Sequence, residues 1–362
     1  MPTPNGRLAI GYWRTALSTD RLDTIPNVTG TGKRTLLLEV WYPAAPQRTQ
    51  PATKRYTTPA VENALISQLG LTAGWAGRVK THAVEGASPL TGKHPVVIFS
   101  HGLSWPMSLY QSITEDLASR GYIVVGINHP HGTTIDFGDG HILEFSPVLP
   151  SGSDSARVVA LARLTAVWAQ DIRAVLDQIN AWGGSPQASP LSANFDLARV
   201  ALVGHSLGGS AAAHLTDDPR VRAVAVLEGQ LRDTAATTLT VRSPFLHMIG
   251  EYNRLEMENR SYLPSERAPV YQAIVAGTGH AYFSDLIAIY KSTAAPDWLA
   301  RHRYELEPGR IIQITRDYVA AFLGRYLLDT DDSLLHPTGY AARVEGPRAA
   351  GYAEVRLTID VR

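Results

Sequence analysis

The stretch Arg199 to Ala213, RVALVGHSLGGSAAA, constrains the fold of this chain more than any other. Val200, Ala201, Leu202 and Val203 form an unbroken apolar run, the pattern of a strand buried on both faces. Ala211, Ala212, Ala213 and Leu215 are good helix formers. Between the two lie Gly204, His205, Ser206, Leu207, Gly208 and Gly209. A strand that turns sharply into a helix holds its apex residue in a sparsely populated backbone conformation, at a cost of about 1 to 3 kcal/mol. The residues two positions to either side are then pressed together, and only very small ones fit. Gly204 and Gly208 hold those places, which makes the apex residue, Ser206, a candidate nucleophile.

The rest of the chain alternates strand and helix patterns. Thr35 to Tyr42 reads as an early strand near an antiparallel edge, ended by Pro43. Buried strands follow at Pro95 to Phe99, Ile123 to Ile127, Val221 to Leu227, Phe245 to Ile249 and Tyr271 to Val275. Helical periodicity marks Tyr110 to Arg120, Ser155 to Trp182 and Thr315 to Leu328. This alternation predicts an α/β fold with a mostly parallel central sheet flanked by helices. Without repeats or an interdomain linker, 1–362 reads as one domain. Residues 44–80 pass through a Pro, Thr and Gln stretch into a helical segment from Val61 to Leu71. They form a candidate cover, or lid, over the site, with a plain surface excursion as the alternative. The tail, 329–362, carries AEVRLTIDV, which alternates as a strand does, but its pattern gives it no place.

Composition excludes several kinds of chemistry. The chain has no cysteine, so it has no disulfide framework, thiol nucleophile or thiolate metal site. Its 33 basic and 33 acidic side chains cancel without long runs of either sign, which argues against a nucleic-acid partner. No apolar run approaches the roughly 20 residues of a membrane span. The N-terminus shows no secretory leader pattern, so the chain is expected in the cytoplasm if Met1 is native and outside the cell if it is a mature form. The loop with His129, His131, Asp136, Asp139 and His141 matches no metal-ligand spacing, and neither metal nor cofactor is expected.

A serine hydroxyl needs a base within hydrogen-bond reach, itself held by a third group. His280 follows the last core strand in a glycine-flanked loop and is the candidate base. His205, His101 and His247 sit inside the elbow, inside another turn and in mid-strand, where structural roles fit better. For the acid there are two candidates. Glu228, at the carboxyl end of its strand, is favoured; Glu251 is the alternative, two positions before the Asn253 that stands where an aspartate is common in such folds. The strand ending in Ser100, His101, Gly102 and Leu103 offers the Leu103 amide for an oxyanion hole, beside that of Leu207. Trp105, Met107 and Phe283 are candidate substrate contacts.

The ordered blocks PVVIFSHGL, LASRGYIVVGINHPHG, GHSLGG, AVAVLEG and GTGHAYFSDL resemble the plasma-type platelet-activating factor acetylhydrolases and their bacterial esterase relatives. The resemblance spans about Leu36 to Leu328 and implies a cofactor-free α/β-hydrolase fold that cleaves small-molecule or lipid-like esters. It implies Ser206 as nucleophile, His280 as base, Glu228 as acid, and Leu103 and Leu207 as oxyanion donors. The animal enzymes carry aspartate where this chain has Glu228.

Overall fold

Successive side chains of a strand point to opposite faces, so a wholly apolar strand needs a helical layer on each side. That requirement sets the architecture. The structure, a computed structural model, describes residues 1–23, 32–46, 52–146, 154–185, 187–230, 239–254, 262–264, 268–293, 305–330, 333–336 and 351–360. Its strands in chain order are β1 (Ala9–Leu22), β2 (Lys33–Ala44), β3 (Ala83–Glu85), β4 (His94–Ser100), β5 (Ile123–Asn128), β6 (Ile135–Asp136), β7 (Ile142–Leu143), β8 (Phe195–His205), β9 (Val221–Leu227), β10 (Leu239–Val241), β11 (Phe245–Gly250), β12 (Tyr262–Pro264), β13 (Val270–Val275) and β14 (Val355–Asp360). Ten of them form one sheet in the order β14, β13, β11, β9, β8, β4, β5, β2, β1, β3, while β6 with β7 and β10 with β12 make two small ribbons.

From β5 to β13 the neighbours in this sheet are all parallel. The antiparallel pairs lie outside that block, β2 against both β5 and β1, and β14 against β13. Helices α1 (Pro59–Leu69), α2 (Gln111–Ser119), α3 (Asp154–Gly184), α4 (Leu207–Ala213), α5 (Leu286–Thr293) and α6 (Pro308–Leu327) complete the described regular structure, apart from short 3-10 turns. One core packs Val97, Phe99, Ala201 and Val203 against α2, α5 and α6. The other packs Val96, Ile98, Val200 and Leu202 against α3 and α4. Alternate residues of the same strands thus supply both cores, as the two-residue period requires.

The chain leaves β4 for β5 on one side, then crosses through α3 to β8 on the other. Loops after β4 and β8 therefore diverge, and the carboxyl ends of these strands open a crevice where α/β sheets place their sites.

Several elements lie outside the sequence expectations: α5, the short ribbon strands β6, β7, β10 and β12, and, largest of them, β1. Strand β1 was not anticipated, because only its first residues are strongly apolar and its second half is largely exposed. The tail finds its place as β14, with Val355 to Asp360 against β13 along its whole length; 331–332, 337–350 and 361–362 lie outside the described residues.

The candidate cover, 44–80, is described at 44–46 and from 52 onward, 47–51 lying outside the described residues. Tyr56 and Trp75 meet edge to face at 5.5 Å, and Leu65 and Leu71 enter the core. The Tyr56 hydroxyl donates to Asp285 Oδ2 at 2.9 Å, and Lys54 Nζ donates to Gln111 Oε1 at 2.6 Å. Those bonds tie the segment to α2 and to the residue before α5.

Candidate active site

Ser206 sits between β8 and α4 with φ 54 and ψ −123, a conformation that L residues rarely adopt. The crowding expected of such an elbow is present. A Cβ on Gly204 would stand 2.5 Å from the carbonyl of Gly208, and one on Gly208 would stand 2.3 Å from the carbonyl oxygens of Ser100 and His101. Both contacts are with backbone, which has no rotamer by which to yield. Glycine at 204 and 208 is therefore a condition for seating β8, α4 and the end of β4 together.

The Ser206 hydroxyl lies 2.9 Å from His280 Nε2, and His280 Nδ1 lies 3.4 Å from Glu228 Oε2. Glu228 is fully buried and has φ 51, so two of these three residues hold strained backbone. Its carboxylate also accepts the Gly250 N–H and, at 3.1 Å, the Asn253 side-chain amide. Asn253 thus stands at the place where an aspartate is common and donates to the carboxylate that reaches His280. Glu251 is exposed and accepts the Gly277 N–H at 2.9 Å, bracing the start of the His280 loop. The structure brings Ser206, His280 and Glu228 together and leaves Glu251 outside that line.

The turn after β4 rests against the elbow: a Cβ on Gly102 would lie 3.3 Å from Ser206 Cβ. The Gly102 carbonyl lies 2.7 Å from His101 Nδ1 and accepts the Trp105 N–H at 3.1 Å. In a trans peptide the N–H points opposite to the C=O, so the Leu103 N–H faces away from those donors. Leu207 is the first residue of α4, and its N–H has no acceptor within the helix.

Trp105 stands at the site. Its ring stacks on His205 at 5.2 Å and meets His280 at 5.8 Å. Met107 and Phe283 do not join it: they are 0% and 1% exposed and belong to the core beneath, so neither offers a surface to a ligand in this conformation. Met107 packs close to Trp41 beneath Gly126, which has no side chain to keep it away.

A second group of buried polar side chains supports the turn from below. His129 Nε2 lies 2.8 Å from the Ser100 hydroxyl, and His129 Nδ1 lies 2.8 Å from Asp171 Oδ2. The Asp171 carboxylate also takes the Arg34 guanidinium through two bonds, at 2.8 and 2.7 Å, and a further bond from Arg21. The His129 N–H donates to His101 Nε2, so the His101 proton is on Nδ1, facing the Gly102 carbonyl. Burial pushes His101 and His129 below the ordinary histidine range, which keeps both rings neutral.

Burial alone would push the Asp171 carboxyl up, but Arg34 and His129 outweigh it and hold it well below the usual carboxylate range. A depressed carboxyl contributes stability above its unfolded pKa, about 3.9, and loses that contribution as pH falls through the folded value. Asp171→Asn leaves the buried Arg34 poorly compensated and is expected to destabilise by about 3 to 5 kcal/mol. Urea unfolding at pH 7 measures the loss; below about pH 4 the gap between wild type and variant should narrow. A variant equal to wild type at pH 7 would show that this network contributes nothing.

Of the other residues in the loop after β5, His131 pairs with Asp23 at the far end of β1 at 3.0 Å, while His141 stacks on Phe137, and Asp136 and Asp139 accept the N–H groups of Gly138 and His141 within their own turns. Among the described residues no group of three or more His, Cys, Asp or Glu side chains is arranged to hold a metal ion. No helix among them is long and apolar enough to cross a membrane.

The chain belongs to the alpha/beta hydrolase family, whose model matches residues 97–357. Residues 2–135 match the model described as platelet-activating factor acetylhydrolase, isoform II. The platelet-activating factor acetylhydrolase of Bos taurus is 30% identical over 169 residues, 40% of this chain and 37% of that protein. The Cavia porcellus protein of the same name is 30% identical over 166 residues, with the same shares. This chain therefore matches little more than a third of the length of those relatives. A solved ferulic acid esterase from Streptomyces cinnamoneus superposes with a TM-score of 0.75 at 25% identity, covering 94% of this chain and 96% of that one.

Proposed function

We propose that this protein is a serine hydrolase of carboxylic esters, with Ser206 as nucleophile, His280 as general base and Glu228 as the acid that orients it. The observation that carries the reading is the 2.9 Å contact between Ser206 Oγ and His280 Nε2, backed by a buried carboxylate. For Nε2 to accept the serine proton, the histidine's own proton must be on Nδ1, the nitrogen that faces Glu228. The 3.4 Å separation there is long for a hydrogen bond, and such contacts commonly tighten once substrate is bound.

Ser206 Oγ attacks the ester carbonyl as its proton passes to His280 Nε2. The carbonyl π pair becomes an oxyanion, stabilised by the Leu103 and Leu207 N–H groups. Collapse of the adduct expels the alcohol, which takes the proton from His280. Water, deprotonated by His280, then attacks the acyl-serine, and the second collapse releases the acid and returns the proton to Ser206.

The names of the similar proteins point to esters, those of the two acetylhydrolases to an acetyl group and that of the solved neighbour to ferulic acid. Short-to-medium acyl or lipid-like esters are the substrate class proposed here, with Trp105 on the wall beside the reacting carbonyl. The test is turnover on p-nitrophenyl esters from acetate to laurate, with methyl ferulate and an acetylated ether phospholipid added. Hydrolysis of at least one, abolished in Ser206→Ala, is expected; a protein inert on the whole panel contradicts the reading.

A further inference from the structure

The separation between the base and the oxyanion turn has to be held closely, because a misplacement of about 1 Å can cost on the order of a hundredfold in rate. The acid alone does not fix it: the His280 to Glu228 contact is long at 3.4 Å, and the His280 side chain is 41% exposed. A different set of bonds reaches the His280 main chain.

His205 Nε2 lies 3.0 Å from the His280 carbonyl oxygen, and His205 Nδ1 lies 2.9 Å from the Tyr110 hydroxyl. That hydroxyl also accepts the Gly102 N–H at 2.9 Å. The directions follow from chemistry. A carbonyl oxygen only accepts, so His205 carries its proton on Nε2. Nδ1 of the neutral ring is then an acceptor, and the Tyr110 O–H must donate to it. The lone pairs of the tyrosine oxygen remain for Gly102. Each group has one assignment, and all are compatible.

We propose that Tyr110 and His205 are positioning residues, a hydrogen-bonded strut that sets the spacing between the oxyanion turn and the base. This rests on the esterase reading above. The strut runs from the Gly102 amide, one peptide before the Leu103 donor, through a phenol and an imidazole to the main chain of His280. Tyr110 and His205 are both fully buried, so water does not compete for these bonds. Trp105 stacks on the His205 ring with 7° between the planes, which fixes its tilt. Burial, with His280 as a second cause, pushes His205 well below the ordinary histidine range, and burial pushes the Tyr110 phenol up. The strut therefore keeps one protonation state across the working range. His205 does not touch the reacting atoms; it acts through the position of His280.

The strut is tested by steady-state kinetics on p-nitrophenyl acetate for wild type, Tyr110→Phe, His205→Phe and the double variant, with thermal unfolding of each. Tyr110→Phe keeps the ring and removes only the hydroxyl, and kcat is expected to fall about 10- to 100-fold with KM within about twofold. Because the two residues form one connection, the double variant should lose much less than the product of the single losses. His205→Gln retains a donor in place of Nε2 and should keep about tenfold more kcat than His205→Phe, a comparison that decides the matter even if Tyr110→Phe fails to fold. A folded Tyr110→Phe with wild-type kcat, single losses that multiply, or equal rates for the two His205 variants each overturn the strut. An active, Ser206-dependent wild type beside an equally active Tyr110→Phe sinks the strut alone. A wild type without ester hydrolysis sinks the esterase reading, and the strut's catalytic meaning with it.

Discussion

Ser206→Ala is expected to lower ester turnover by at least about a thousandfold while leaving the fold intact. Removing Oγ takes away the atom that would bond to the acyl carbon, and a chain without cysteine has no thiol to replace it. His280 and Glu228 cannot recover the loss, because a triad acts as a unit. Stability should change little. The Ser206 side chain has His280 Nε2 as its partner at the half-exposed surface, and alanine adopts φ 54 at about the same cost as serine. The comparison is kcat on p-nitrophenyl acetate together with the unfolding midpoint. Turnover within tenfold of wild type would remove Ser206 from the mechanism.

The second large effect concerns the acid. Glu228→Gln preserves shape but removes the charge that would stabilise an imidazolium at His280. It also places a donor where two partners donate, the Asn253 amide and the Gly250 N–H. A loss of about a hundredfold to ten-thousandfold in kcat is expected. Glu251→Gln should stay within about fivefold, because Glu251 braces the Gly277 amide from the surface and a glutamine oxygen can accept the same bond. A larger loss at Glu251 than at Glu228 would reverse the assignment.

Much of the fold could be read because it is written locally. The run from Val200 to Val203, the glycines at 204 and 208, and the helical spacing from Ser155 to Trp182 each declare their element within a few residues. The parallel block and the helices on its two faces follow from that alternation. What resisted reading depends on contacts distant in sequence. Strand β1 hides because its exposed half lacks an apolar pattern, and β14 could be placed only by its pairing with β13. Met107 and Phe283 stand beside site residues in sequence but turn into the core, a tertiary fact that no local pattern carries.

The site shows the same division. Ser206, Leu207 and the turn from Ser100 to Leu103 lie in local motifs at the ends of adjacent strands. The choice between Glu228 and Glu251 could not be settled from spacing, since both follow strand ends and both precede His280. It turns on where Asn253 and Gly250 direct their donors. The histidines at 101 and 205 read as structural residues in the sequence, and in the structure their neutral rings hold the Gly102 carbonyl and the His280 carbonyl. Tyr110 carries no sequence signal for this role; it stands just before α2, and only the packing of that segment beneath the turn brings its hydroxyl to Gly102.

The most direct test of the central claim is reaction with a fluorophosphonate, which needs an activated serine beside oxyanion donors and no knowledge of the natural ester. Intact-mass measurement should show one adduct per chain, peptide mapping should place it on Ser206, and Ser206→Ala should remain unlabelled. An unlabelled wild type, or an adduct on another residue, would contradict the account.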